Sequence, residues 1–368
     1  MNRIDVSSLS IKQKVGQLFF IGIPGPEFDI DTKQMLADIE PGGICLFARN
    51  IKEAEQTREL LDSIHDFLGI VPFLSIDQEG GRVDRLRRIL SPMPAASQLR
   101  TPDDAKEQGS IIGEALRVLG FNMDFAPVVD VIDVDRRQFL NGLQTRGFGL
   151  TKESVVEMAE QFLIGLSENG ILGCLKHFPG LAAAEVDSHE ELPIVAISDD
   201  ELRVKELYPY RELLTRFRSA CVMVAHAVYP RSDLQELDPS GKLIPSSLSK
   251  RVLTSLLRGE LNFDGVAITD DLEMGAIVRN YGIAEACKAA INAGEDMLAI
   301  CADPESIYDG YASVAEAIST GEISEERLDE SIERIALLKN KVPNRITFDR
   351  QRLDSLEKRI DLLKVRLN

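Results

Sequence analysis

The sequence predicts an α/β fold, a closed (β/α)8 barrel of the TIM type, and three observations carry the prediction. Eight short, apolar, β-rich runs recur along 368 residues. Amphipathic stretches separate them, and strands that read as unbroken apolar runs between helices indicate a parallel sheet covered on both faces. An open doubly wound sheet would instead carry a G-x-G-x-x-G phosphate fingerprint after its first strand, and "FFIGIPGPEFDI" has none.

In chain order the runs are "QLFFIGI" (17–23), "GICLFA" (43–48), "VPFLSID" (71–77), "NMDFAPVVDV" (122–131), "ILGCLKHF" (171–178), "CVMVAHA" (221–227), "GVAITDD" (265–271) and "DMLAIC" (296–301). Each is short enough for a strand, rich in β-branched or aromatic residues, and bounded by turn formers. The segments between them carry helix signals. "TKESVVEMAEQFLIGLSENG" ends on Gly170, and "SDDELRVKELYPYRELL" opens with a capping box of Ser198 and Glu201. Eight strand–helix units fill residues 1–342 as one barrel domain.

Residues 343–368 read as an amphipathic helical tail. Leu353, Leu356, Ile360, Leu363 and Leu367 recur at steps of three and four, an apolar seam about two heptads long. From residue 345 to 368 there are seven basic and four acidic side chains, a tail of +3 on an acidic body. The seam predicts either packing back onto the barrel, as a monomer, or a weak homodimer through this helix.

Composition excludes several classes. With 42 basic against 60 acidic residues the net charge is −18, which opposes binding to nucleic acid or to anionic membranes. No run is long enough to cross a bilayer, and the N-terminal stretch has no signal-peptide pattern, so a cytoplasmic location is expected. Five scattered cysteines, odd in number and inside apolar runs, read as free thiols in a reducing compartment.

A barrel of this type builds its site from the C-terminal ends of its strands. Those ends carry Asp77, Asp130, Lys176, His177, His226, and Asp270 with Asp271. Any one aspartate there could be a helix cap. Jointly they suit a polar substrate with many hydroxyls. Asp270 and Asp271 are neighbours on one strand, so alternation predicts that only one of them faces the barrel mouth.

"SIDQEGGRVDRL" (75–86), "NMDFAPVVDV", "KHFPG" followed by "VDSHEELP", "ELYPYRELL", "GELNFDGVAITDDLEMGAI" (259–277) and "AGEDMLAIC" (293–301) together resemble the family 3 glycoside hydrolases. The likeness is to the single-domain bacterial β-N-acetylglucosaminidases of peptidoglycan recycling, and it covers residues 8–340 in the family's order. It implies retaining, exo-acting hydrolysis of terminal β-linked N-acetylhexosamine through a covalent glycosyl-aspartate, with no cofactor. It also implies Asp270 as nucleophile and His189 as acid/base, oriented by Asp187. Lys176, His177, Asp77, Arg85 and Arg146 correspond to positions that bind the sugar.

One stretch departs from the family. Where relatives read H-G-D-T after "KHFPG", this chain has Leu181, Ala182, Ala183 and Ala184, and the segment after the fourth strand, "DVIDVDRRQFLNG", lacks the family's asparagine-rich turn. Three outcomes are open: the loop is re-anchored by other residues; the enzyme takes a different glycoside or works slowly; or the protein has become a sugar-binding homologue. A loosely tethered loop would be mobile, whereas a Leu181 that packs down would anchor it by burial. A rival of another class, a metal-dependent hydrolase using His177, His189, His226 and Asp270, lacks the H-x-H pair expected after the first strand, so no metal is implied.

Overall fold

The computed structural model describes residues 6–188, 191–218 and 220–367. Eight parallel strands form the barrel: β1 Phe19–Gly22, β2 Gly43–Leu46, β3 Phe73–Ile76, β4 Met123–Asp124, β5 Cys174–Phe178, β6 Cys221–Val224, β7 Ala267–Asp271 and β8 Met297–Ile300. Every one lies inside an apolar run read from the sequence. Strands pair in chain order from β1 to β4, and from β5 through β8 back to β1. The ring closes between β4 and β5, where Asp124 N donates to Leu172 O and Cys174 N donates to Ala126 O, both at 2.8 Å. Pro127 lacks an N–H and interrupts the ladder, which resumes at the Val128–Lys176 bridge.

The longest helix between each strand and the next, and the first helix after β8, are α1 Ile30–Ile39, α2 Ala54–Phe67, α3 Pro102–Leu119, α4 Lys152–Glu168, α5 Tyr208–Arg216, α6 Arg251–Glu260, α7 Ile283–Ala293 and α8 Pro304–Thr320. Their starts are set by local chemistry. Thr101 caps α3 with Asp104 in a reciprocal box, and Pro102 occupies the first turn, where its missing N–H costs nothing. Ahead of α5, Ser198 accepts from Glu201 N at 3.1 Å as the sequence predicts and caps the short helical turn Asp199–Glu201, but the Glu201 carboxylate goes to Arg136 Nη2 at 2.8 Å, because a charge-assisted bond outcompetes a neutral backbone donor.

Inside the barrel three rings meet. Phe20 of β1 lies parallel to Phe73 of β3 with centroids 6.3 Å apart, and Phe125 tilts against Phe20 at 5.0 Å. The first contact spans β2, and it does so over Gly43, where a Cβ would stand 2.4 Å from the Phe20 ring. Burying such a ring contributes roughly 1.5–3 kcal/mol.

After α9 (Glu325–Lys339), the tail forms α10 (Arg350–Leu367). Leu353, Leu356, Ile360 and Leu363 of the apolar seam are buried, and Leu367 is half-buried. The basic residues meet acidic ones of the barrel: Arg352 bonds Glu114 at 2.5 Å, and Arg359 bonds Glu107 and Glu114 at 2.9 Å, all on α3. The seam is thereby covered within the chain. Among the described residues no helix is long and apolar enough to cross a membrane. All five cysteines are buried and free.

Candidate active site

The β3 end supplies the first wall. Asp77 follows the strand, and residues Gln78–Gly80 pair with Val83–Asp84 in a small hairpin. Gln78 organises it: its Nε2 donates to Asp84 Oδ1 at 2.9 Å, and its Oε1 accepts from Arg85 N at 2.8 Å and Leu86 N at 3.0 Å. This fixes the backbone from which Arg85 projects. Arg85 Nε is buried and has no hydrogen-bond partner among the described residues, a donor left over beside a cavity.

The β5 end supplies the floor. Lys176 Nζ lies 2.6 Å from Asp77 Oδ1 and 2.7 Å from Glu79 Oε1. Glu79 in turn takes a two-pronged bond from Arg146, Nε to Oε2 at 2.8 Å and Nη2 to Oε1 at 2.9 Å. His177 Nδ1 stands 2.7 Å from Asp130 Oδ2, and its Nε2 is 3.3 Å from Arg146 Nη2. A guanidinium can only donate, so Nε2 is the acceptor and Nδ1–H donates to Asp130, which fixes the tautomer.

These charges set one another's protonation. Burial would raise the Glu79 carboxyl, but Arg146 and Lys176 outweigh it and hold it far below the usual carboxylate range. Burial would lower Lys176, yet Asp77 and Glu79 raise it, so the ammonium stays charged. Below them Asp124 is pushed the other way by burial, well above its ordinary value, and its Oδ2 has no partner among the described residues.

The β7 end corrects an expectation. Asp270 and Asp271 both line the cavity, although alternation predicts only one. The cause is a register shift against β8: Met297 pairs with Ile268 but Ala299 pairs with Asp271, so three steps on β7 face two on β8. Such a bulge re-aims the side chains beyond it. Asp271 N donates to Asp270 Oδ1 at 2.9 Å. Burial pushes the Asp271 carboxyl up to about 7. His226 engages Ser247 Oγ at 2.7 Å through Nδ1 and Asp271 O at 3.1 Å through Nε2. Among the described residues, no group of three or more His, Cys, Asp or Glu is placed to hold a metal ion.

The apolar replacement at 181–184 turns out to be packed. Leu181 is 4% exposed, and Ala182 and Ala184 are fully buried. Leu181 N donates to Asp130 Oδ1 at 2.6 Å, and Tyr229 Oη donates to Gly180 O at 2.9 Å. Asn141 Nδ2 donates to Ala182 O at 3.2 Å and to Ala184 O at 2.7 Å. Over these four residues the loose-tether expectation is overturned, because burial and backbone hydrogen bonds replace the absent polar side chains. Asp187 and Ser188, further along, line the cavity, while His189 and Glu190 lie outside the described residues.

Asp77, Arg85, Arg146, Lys176, His177, Asp187 and Asp270 thus surround one cavity of about 160 Å³ at the C-terminal rim. Sequence reasoning missed Glu79 and Asn141. The first sits two residues past a strand end in "DQEGG", where an acidic residue beside a tight glycine turn was the available signal. The second stands in the segment noted only for departing from the family.

The barrel mouth is lined by acids, a tautomer-fixed imidazole and several cations, with a guanidinium donor left over, groups suited to a substrate with many hydroxyls. Residues 10–338 match the model of the glycosyl hydrolase family 3 N-terminal domain. A β-hexosaminidase of Pseudomonas aeruginosa is 35% identical over 292 residues, 78% of this chain and 82% of that protein. One from Thiobacillus denitrificans is 31% identical over 294 residues, 77% of this chain and 78% of that protein. Among solved structures, a family 3 β-N-acetylglucosaminidase from Paenibacillus superposes with a TM-score of 0.86 at 33% identity, over 97% of this chain and 68% of that one. The chain belongs to glycosyl hydrolase family 3, and it is a glycoside hydrolase acting on carbohydrate.

Proposed function

We propose that the protein is a retaining, exo-acting β-N-acetylglucosaminidase that removes terminal β-linked N-acetylhexosamine, with peptidoglycan-derived muropeptides as the natural substrate class. The single observation that carries the reading is the convergence of the seven described site residues on one cavity, in a chain whose relatives include β-hexosaminidases. Asp270 attacks the anomeric carbon while His189, oriented by Asp187, protonates the departing oxygen. A glycosyl–Asp270 ester forms. His189 then takes a proton from water, which attacks the same carbon and releases the sugar with its β-configuration restored.

Burial argues against Asp271 as the nucleophile. A carboxyl that burial raises to about 7 is half protonated near neutral pH and attacks poorly, which disfavours Asp271. Asp77, Arg85 and Lys176 supply acceptors and donors for sugar hydroxyls. Arg146 and Glu79 brace Lys176 and His177 from behind. The buried loop at 181–184 favours a working enzyme over a sugar-binding homologue, since the segment leading to Asp187 is anchored. Five buried free thiols suit the cytoplasm, and a seam covered by α3 favours a protein that does not dimerise through α10.

The test is turnover of a chromogenic N-acetyl-β-glucosaminide beside the matching β-glucoside and β-xyloside. Preference for the first supports the reading; equal or greater turnover of either other sugar rejects its specificity.

A further inference from the structure

We propose that Asn141 and Gly142 form a positioning cradle for the acid/base loop, replacing in this chain the anchoring that the H-G-D-T side chains would give. The inference rests on the assignment of Asp187 and His189 as the acid/base pair. Asn141 lies between β4 and α4, is 6% exposed, and reaches across to the loop that follows β5. Both acceptors of its Nδ2 are carbonyls of the alanine stretch, Ala182 O at 3.2 Å and Ala184 O at 2.7 Å. Its Oδ1 accepts from Leu143 N at 3.1 Å, which holds the amide in that orientation.

The chemistry explains why an amide stands there. Ala182 and Ala184 are fully buried and have no polar side chain, so their carbonyls need donors from elsewhere. A carboxamide offers two N–H donors and one acceptor at a single point, and an aspartate of equal size offers no donor. Gly142 makes the second contact. Its φ is +76°, and a Cβ built there would stand 3.0 Å from Asp187 Oδ2. The Asp187 carboxylate therefore lies directly over the bare α-carbon of Gly142. Adjacent residues on one segment hold the loop at its root and receive the carboxylate three residues beyond Ala184.

A displacement of about 1 Å at the acid costs on the order of a hundredfold in rate. That loss falls on substrates whose leaving group needs protonation and spares activated ones. The experiment uses the full chain and two aryl N-acetyl-β-glucosaminides, one with an activated and one with a poor leaving group. Asn141→Asp removes both donors at constant size, and Gly142→Ala inserts a methyl against Asp187 on a backbone whose φ of +76° alanine adopts only with strain. Both variants are expected to lose kcat on the poor leaving group by on the order of a hundredfold, with KM and the activated substrate little changed. The melting temperature of each is measured alongside. Should Asn141→Asp fail to fold, Gly142→Ala still decides. Equal losses on both substrates, or a lowered melting temperature with an unchanged ratio, overturn the cradle. His189→Ala is run in parallel. If it shows no selective loss, the acid/base assignment falls and the cradle with it. If it does while the two variants do not, the cradle alone is wrong.

Discussion

Replacing Glu79 by glutamine removes one negative charge and almost no volume from the most charged part of the site. Glu79 is 5% exposed and receives three charge-assisted contacts, two from Arg146 at 2.8 and 2.9 Å and one from Lys176 at 2.7 Å. Glutamine keeps one acceptor oxygen and turns an NH2 group toward a cation. Among the described residues Lys176 is left with Asp77, and Arg146 loses its bidentate carboxylate. Breaking a buried pair from one side costs roughly 3–5 kcal/mol, because the partner charge stays buried. The sign with pH follows from the depressed Glu79 carboxyl. Its stabilisation is fully present above the unfolded carboxyl value of 4.5 and fades as pH falls toward its lower folded value. Urea unfolding should therefore show Glu79→Gln less stable by about 3 kcal/mol or more near neutral pH, with the gap to the parent closing in acid. kcat/KM should fall as well, since Lys176 and His177 lose their brace. A variant as stable as the parent at neutral pH would refute the argument that Glu79 neutralises Lys176 and Arg146.

Three further outcomes are expected. Lys339 is fully enclosed, with Nζ 2.6 Å from Gln17 Oε1, and burial lowers it to about 7 from 10.5. The unfolded chain then holds more protons between those values, so the parent gains stability as pH rises through that window, and Lys339→Met should stabilise near pH 6.5 by about 2 kcal/mol after the lost hydrogen bond is deducted. Thermal melts at several pH values check it, and a gain that does not shrink toward about pH 9.5 contradicts it. Restoring His-Gly-Asp-Thr at 181–184 should lower the melting temperature without raising turnover, because it inserts polar groups where Leu181, Ala182 and Ala184 are buried; a faster enzyme would show the loop is poorly held after all. Asp270→Ala should abolish turnover with the melting temperature nearly unchanged, and retained activity would exclude Asp270 as the nucleophile.

The barrel was legible because each strand is buried on both faces, which leaves an unbroken apolar run, and because the site of such a barrel sits where those runs end. Asp77, Lys176, His177 and Asp270 could be read off strand ends for that reason. Asp187, Arg85 and Arg146 lie in connections, and only the family resemblance pointed to them. Glu79 escaped because a hairpin of a few residues brings it to the same Lys176 ammonium that Asp77 contacts, a geometry no periodicity records. Asn141 escaped for another reason: its acceptors are backbone carbonyls 41 and 43 positions away, and carbonyls leave no mark in a sequence. The alternation rule failed at Asp270 and Asp271 because a bulge depends on the partner strand, not on the strand that carries it. The alanine stretch looked like a loss of anchoring when only side chains were counted. Its backbone is held by Asp130, Asn141 and burial.

Retaining hydrolysis by this site requires a covalent sugar ester on one particular carboxylate at the end of β7. It is tested most directly by trapping the intermediate with a slow fluorinated glycoside of the N-acetylglucosaminide type, digesting the labelled protein, and locating the added mass. A single label on Asp270 is expected. A label on Asp271, or release of the α-anomer as the first product with no label at all, would contradict it.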